Sequence, residues 1–328
     1  MKKKDFHFPP LGEFRLIEKI LARNTPLAET GPESRFWIPA GDDAAAFDGW
    51  LATKDISVEN THFRLDWSSP EQAVRKAVVS NVSDISAMGG APRSALLGLC
   101  LNRNWSEDIQ SRIADAFSEE LAKRNITVLG GDTVAGDTGM FSVTLIGSAA
   151  RVLRRRGAKP GDFVYLTGAI GRSRAGLWLL EHGKAEAFPE LSGFHLSPEI
   201  HEGMGEWISR FGEARACIDV SDGLSSELHH LALSSGVRIE VEEEKIPVAS
   251  GVGDFLKKEG FPAFDFVFNS GEEYQLLFTS PLSESIFCKM QNSFPITCIG
   301  TVSEGSGVLL RGRNGVTQNL EAKAWSHL

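Results

Sequence analysis

The sequence predicts an α/β (α+β) protein of two domains, and three observations carry that expectation. Strand-like and helix-like patterns alternate through both halves of the chain. A basic break with glycine and proline, Arg154-Arg155-Arg156-Gly157 followed by Lys159-Pro160-Gly161-Asp162, interrupts them over residues 152–161. The 328 residues, 42% of them hydrophobic, are enough for two buried cores. The domains are therefore expected at 1–152 and 153–328.

Phe14, Ile17 and Leu21, with Leu16 and Ile20, recur at helical spacing and predict an amphipathic helix over 12–23. Residues 50–58 read as a strand bearing Asp55. Residues 70–88 read as a helix: Ser68 and Glu71 fit a capping box, Pro70 suits the first turn, and Gly89-Gly90 stops it. Asn81 and Asp84, three apart near its end, share a face. A strand over 93–101 and a helix over 106–124 follow. A short strand at 126–129 is expected to run into a Gly130-Gly131-Asp132 turn, and another strand spans 141–151. Beyond the break, strands are expected at 163–167, 237–241, 274–279 and 297–302, and helices at 172–181, 198–211 and 222–233.

The formal net charge is -9, and no Lys/Arg block runs beyond a few residues. An acidic chain without a basic stripe is a poor nucleic-acid binder, so affinity for phosphate-rich small molecules has to come through metal ions. Met1-Lys2-Lys3-Lys4 leads into Asp5 and Phe6 and not into an apolar stretch, so no secretory signal is expected. The apolar run at 95–101 is too short to span a bilayer, so no membrane partner is expected. Cys100, Cys217, Cys288 and Cys298 show no C-x-x-C spacing and read as buried small hydrophobes in a reducing, cytoplasmic compartment.

The chemistry sits in four aspartate-centred motifs: Gly41-Asp42-Asp43, Asn81-Val82-Ser83-Asp84, Gly130-Gly131-Asp132-Thr133 and Asp219-Val220-Ser221-Asp222-Gly223. A carboxylate beside small residues is a hard oxygen ligand that can approach hydrated Mg²⁺. Singly, each has a plain alternative. Gly41-Asp42-Asp43 also fits an Asx turn, Asp84 a surface acid, and Gly130-Gly131 a simple glycine turn in place of backbone N–H groups facing a phosphate. Asp219 and Ser221 share a strand face, and Ser221 or Asp222 can cap the next helix, whose N-terminus favours anions. Asp55, amid apolar residues, needs edge exposure or compensation, and adjacent Lys54 points to the opposite face. If the four converge, they make a multi-metal site for a highly phosphorylated ligand. There is no G-x-x-x-x-G-K-[ST], no strand-borne G-x-G-x-x-G, no H-E-x-x-H and no G-x-S-x-G, which removes the usual nucleotide, zinc and hydrolase signatures.

Read in order, these segments resemble the thiamine-monophosphate kinase family, of the superfamily that includes aminoimidazole-ribonucleotide synthetase. The resemblance runs from Gly12-Glu13-Phe14 through the four motifs, His62-Phe63, Gly157-Ala158-Lys159-Pro160-Gly161-Asp162 and Gly271-Glu272-Glu273-Tyr274 to Trp325. It implies a two-domain aminoimidazole-ribonucleotide synthetase-like fold: an N-terminal domain that binds ATP and Mg²⁺ and pairs its sheet across a homodimer, and a C-terminal α/β domain that completes the site. It also implies phosphoryl transfer from ATP to thiamine monophosphate. By the same resemblance, Asp43, Asp55, Asp84, Asp132, Asp219 and Asp222 are metal ligands, with Thr53 and Lys54 in the same segment, and Asp43, Asp84, Asp132 and Asp222 are the catalytic set. Gly131, Arg155 and Ser221 touch ATP, while His62, Glu272 and Trp325 face the thiamine phosphate. The chain departs from the family pattern at Lys54, Asn60, Ala135, Ser270, Glu273 and Gln275. Two rival expectations are a synthetase-type enzyme acting on another substrate and a nucleotide-binding paralogue without turnover.

The physics of such a site agrees. Like charges 4 Å apart repel by about 4 kcal/mol even at an effective dielectric near 20, so six aspartates facing two phosphorylated substrates require several Mg²⁺ ions. The acceptor phosphate oxygen is already ionised, so direct transfer without a phosphoenzyme is expected.

Overall fold

The computed structural model describes residues 37–38, 41–290 and 294–323; the helix expected at 12–23, Gly12-Glu13-Phe14 and Trp325 lie outside them. The first sheet joins β1 (Trp37–Ile38), β2 (Ala45–Phe47), β3 (Trp50–Val58), β4 (Ala91–Asn102), β5 (Thr127–Gly136) and β6 (Met140–Ser148). Its order is β1-β2-β3-β6-β4-β5, antiparallel except for the β4–β5 pair. Two helices, α1 (Pro70–Ala87) and α2 (Glu107–Lys123), cover one face. Val74, Ala77, Val78 and Ile85 of α1 pack there on Leu51, Phe141, Val143 and Leu145, all at most 2% exposed.

The second sheet comprises β7 (Phe163–Thr167), β8 (Ala216–Asp219), β9 (Arg238–Glu242), β10 (Leu276–Ser280), β11 (Ile296–Ser303), β12 (Gly307–Arg311) and β13 (Thr317–Asn319), in the order β13-β12-β9-β11-β7-β10-β8. Around it lie α3 (Arg172–Glu181), α4 (Pro189–Leu196), α5 (Met204–Arg210), α6 (Leu224–Ser235), α7 (Val252–Glu259), α8 (Ala263–Phe268) and α9 (Glu284–Lys289). A separate apolar cluster binds the two halves: Ala87 at the end of α1 packs with Leu153, Met204, Ile208 and Cys217. Burying such a joint removes apolar area from water from both sides at once.

Several expectations need correction. The cap of α1 is Ser69, whose hydroxyl accepts from Gln72 N–H while the Gln72 side chain accepts from Ser69 N–H; the box is shifted one residue from Ser68 and Glu71. The 198–211 helix is only Met204–Arg210, and Pro189–Leu196 forms a helix that its mixed pattern did not announce. Helix α6 is capped by Gly223, with neither Ser221 nor Asp222 in that role. Cys217 and Cys298 are buried, but Cys100 is only half-buried.

The largest correction is at Gly130-Gly131-Asp132, which is no turn. β5 runs straight through it to Gly136. A bulge sets Leu129 outside the register, since Ala95 pairs with Val128 and Leu96 with Gly130. A Cβ on Gly131 would lie 1.9 Å from the Leu97 carbonyl oxygen, so close strand approach is what requires glycine there.

Register also sorts the faces of this sheet. Lys54, Ile56, Leu96, Asp132 and Val134 fall on the side opposite α1, and Trp50 joins them. Trp50, Ile56, Leu96 and Val134 are each at least 40% exposed. No element among the described residues covers that face.

Candidate active site

Strand alternation turns Leu51, Thr53 and Asp55 toward α1. The helix answers with Asn81 and Asp84. Thr53 Oγ1 donates to Asp84 Oδ2 at 2.5 Å, and Asp55 N–H donates to Asn81 Oδ1 at 3.2 Å. One residue from Asp84, Ser83 Oγ donates to Asp219 Oδ2 at 2.6 Å, so α1 is tied to the end of β8 as well as to β3. Asp43 enters from the loop ahead of β2 with a side chain 1% exposed. Asp222 follows three residues after Asp219, and its N–H donates to Glu227 Oε1 at 3.0 Å.

These acids feel one another. Burial, then the charges of Asp55, Asp219 and Asp43, raises the Asp84 carboxyl well above the usual range. Burial and the neighbouring Asp43 push Asp219 up to about 8 despite the hydrogen bond from Ser83. Burial lifts Asp43 to about 6, against the pull of Arg155. Asp55 is raised by burial, with Ser80 opposing, and Glu227 is raised well up by burial and by Asp219. A group of buried carboxylates that resists ionisation is one that lacks cations. Arg155 is the cation that the chain itself supplies to Asp43, with Nη2 2.6 Å and Nε 3.1 Å from Oδ1. The neighbouring Asp42 takes the Arg155 N–H at 2.7 Å and Arg154 Nε at 3.1 Å.

The donor set suits Mg²⁺. It consists of carboxylate oxygens and one hydroxyl, the hard ligands that this ion prefers, and the buried Asp43 Oδ2 has no hydrogen-bond partner. Among the described residues no three of these acids form a closed metal cage. Mg²⁺ does not demand one, because it keeps several waters and binds through one or two carboxylates plus substrate phosphates.

Other expected residues fall elsewhere. Lys54 does not join the acids: its Nζ donates to Ser142 Oγ at 2.5 Å on the opposite sheet face, and an ammonium has no lone pair for a metal. Asp132 and Gly131 sit on edge strand β5, three strands from β3, which is about 14 Å at ordinary strand spacing. Asp132 projects on the face away from Asp55 and Asp84, and its Oδ1 accepts only from the Thr133 N–H. Within one chain neither reaches the cleft. Ser221 does lie on it, its carbonyl accepting the Glu272 N–H at 2.7 Å.

That last contact opens a second wall. Residues 270–275 are strapped along the Asp219–Asp222 turn, with Glu273 and Tyr274 N–H groups both donating to the Val220 carbonyl. Glu272 and Tyr274 take left-handed φ values of 54° and 52°, a strain tolerated where surroundings dictate it. Buried Glu273 pins the strap, accepting from the N–H groups of Gly171 and Ser173 and from Ser270 Oγ. Glu272 accepts from Lys76 Nζ at 2.7 Å. Burial would raise its carboxyl, but Lys76, by its charge and its hydrogen bond, leads the influences that hold it below the usual range. His62 is nearby on the loop after β3, with Nδ1 accepting from Val58 N–H.

Three residues of the site escaped the sequence reading: Glu227, Lys76 and His195. Glu227 and Lys76 each stand at a buried helix position amid apolar neighbours, and that is a readable signal once the buried face is known. His195 lies in the helix that was not expected at all.

The profile of the AIR synthase related protein, N-terminal domain, matches residues 41–149, and that of the C-terminal domain matches 159–311. Thiamine-monophosphate kinase of Pyrococcus horikoshii is 36% identical over 293 residues, 88% of this chain and 90% of its own. The Aquifex aeolicus thiamine-monophosphate kinase is 34% identical over 328 residues, 97% of this chain and 98% of its own. The solved structure of AaThiL complexed with AMPPCP and TMP superposes with a TM-score of 0.84 at 33% identity, covering 98% of this chain and all of that one.

Proposed function

Since the chain belongs to the AIR synthase related family and, within it, to the thiamine-monophosphate kinases, we propose that its acidic cleft is where ATP and thiamine monophosphate meet. The activity is ATP-dependent phosphorylation of thiamine monophosphate to thiamine diphosphate. The observation that carries the cleft is the gathering of acids around one helix, with Thr53 bonded to Asp84, Asp55 to Asn81 and Ser83 to Asp219. The buried Asp43 Oδ2 is left without a hydrogen-bond partner, and the carboxyls of Asp43, Asp55, Asp84 and Asp219 are all raised by burial.

Asp43, Asp55, Asp84, Asp219 and Asp222, with the Thr53 hydroxyl, are the residues that would hold Mg²⁺. Bound there, the ions supply positive charge to the nucleotide phosphates and to the oxygens between which the phosphoryl group passes. The chain's own residues do the rest. Thr53 and Ser83 orient Asp84 and Asp219, and Arg155 keeps Asp43 in place and leaves a guanidinium edge beside the nucleotide. The turn at Ser221 and the N-terminus of α6 face the phosphates. His62 and Glu272 form the acceptor side, to which the family resemblance adds Trp325, a residue outside the described ones. No residue is asked to form a covalent intermediate, because the acceptor oxygen is already a nucleophile.

The domain division at 152/153 assigns metal and nucleotide binding and dimerisation to the first half and completion of the site to the second. A homodimer is supported by the sheet face that carries Trp50, Ile56, Leu96 and Val134, which no described element covers, and by the edge of β5, unpaired among the described residues. It would also give Asp132 and Gly131 a role, in or beside a second copy's cleft. A cytoplasmic setting fits the phosphorylated substrates, and among the described residues no helix is long and apolar enough to cross a membrane.

The test incubates purified protein with ATP, Mg²⁺ and thiamine monophosphate and follows the diphosphate by chromatography, with and without a chelator. Product that forms only with Mg²⁺ is expected; product in its absence would overturn the metal assignment. For the dimer, Ile56→Glu is expected to give monomers by light scattering and to lose most turnover, and a variant still dimeric and active would remove that interface.

A further inference from the structure

Lys76 and His195 stand behind Glu272. Lys76 Nζ, on a side chain 9% exposed, donates to Glu272 Oε2 at 2.7 Å and to the His62 carbonyl at 3.4 Å, and lies 3.4 Å from His195 Nε2. His195 is 6% exposed, and its Nδ1 sits 3.0 Å from Ser173 Oγ and 3.6 Å from Glu272 Oε2. The Glu272 side chain keeps 32% exposure. From interior to cleft the order is therefore imidazole and ammonium, then a carboxylate with an open side. The ammonium comes from α1 of the first half and the carboxylate from the strap of the second.

A partly buried carboxylate gains from a cation held beside it. Burying a lysine is costly, and is sustained here by a charged partner at hydrogen-bond distance. Lys76 occupies one oxygen of Glu272, and a carboxylate has about four lone-pair positions. Room for a second cation remains on the cleft side. Thiamine monophosphate brings one, the permanent positive charge of its thiazolium ring. Burial and Lys76 hold the His195 imidazole neutral, down to about 3, so it adds no competing charge.

We propose that Lys76 is a positioning residue for the acceptor, holding Glu272 so that its open side pairs with the thiazolium ring. This rests on the reading of Glu272 as part of the acceptor wall. It makes acceptor selection a matter of ring charge as well as of shape.

The experiment compares kcat/KM for thiamine monophosphate with that for 3-deazathiamine monophosphate, a near-isostere with a neutral thiophene ring. The wild-type protein is expected to prefer the cationic acceptor by at least about tenfold. Glu272→Gln is expected to shrink that preference to within about twofold. Lys76→Met is expected to raise KM for thiamine monophosphate about tenfold and to narrow the preference, with KM for ATP within about twofold of wild type; Lys76→Arg should recover most of the loss. Equal use of the two acceptors by the wild-type protein would overturn the proposal even if Lys76→Met failed to fold. A folded Lys76→Met with unchanged preference would overturn it as well. A wild-type protein that makes no thiamine diphosphate would defeat the functional reading itself, and so is told apart from these.

Discussion

Near its C-terminal end α1 presents Asp84 to three other carboxylates; two turns earlier the same helix presents Lys76 to Glu272 and His195. Both groups are enclosed, and both join the two halves of the chain. They differ in charge balance. Around Lys76 the ammonium and carboxylate balance and the imidazole stays neutral, so the cluster carries no surplus charge, while one side of Glu272 stays open to the cleft. Around Asp84 the carboxylates of Asp43, Asp55, Asp84 and Asp219 outnumber the one guanidinium at Asp43, that of Arg155, and burial raises all four above the usual range. A cluster balanced in charge fixes geometry and leaves one open side for a single cationic group; an unbalanced one calls for several cations.

The sharpest way to break this contrast is on the acidic side. Asp84→Asn and Asp222→Asn are each expected to cut thiamine diphosphate formation by about 10²-fold or more, with far-UV circular dichroism unchanged. Asp84→Asn also removes a repelling charge, so the metal-free protein should not melt lower than wild type. Turnover surviving in both variants would end their assignment as metal ligands.

Next in size, Arg155→Ala takes away the single cation beside Asp43. Removing one partner of an enclosed pair destabilises strongly, and with Arg155 partly exposed a loss of about 2 kcal/mol is expected in the metal-free protein. Urea titration would measure it, and Mg²⁺ should restore part. An equal loss with and without Mg²⁺ would show that the ion does not take over the role of the guanidinium.

The smallest effect is the pH dependence of melting, and here the clusters have opposite signs. Asp43 and Asp219 have folded values, about 6 and about 8, above the ordinary 3.8. Between those limits the folded protein holds more protons than the unfolded one, so their contribution to stability is lost as pH rises from 3.8 toward 8. His195 falls from 6.5 to about 3, so its contribution is lost as pH drops below 6.5. Calorimetry of metal-free protein should show Asp219→Asn flattening the alkaline limb and His195→Gln the acid limb, each by a few degrees. If either variant leaves its limb unchanged, that residue does not carry the titration.

What could be read beforehand follows the same division. Asp219-Val220-Ser221-Asp222 and Asn81-Val82-Ser83-Asp84 were legible through their joint occurrence, since Asp84 alone also fits a surface acid. Strands β3 and β7 and helix α3 were legible from periodicity alone, down to their ends. Gly130-Gly131 misled, because a glycine demanded by a neighbouring carbonyl looks in sequence like a glycine demanded by a turn. The pairing of Lys76 with Glu272 spans 196 positions, and no local pattern encodes a contact that the packing of two sheets creates.

Eight residues of α1 separate Lys76 from Asp84, a rise of about 12 Å. A helix held by packing along its length neither stretches nor shortens, so it works as a ruler between the ring end and the reactive end of the acceptor. Lengthening the arm between ring and phosphate by one methylene should slow transfer even where affinity is kept, and acceptors of the family's reaction would be sorted by reach before they are sorted by shape.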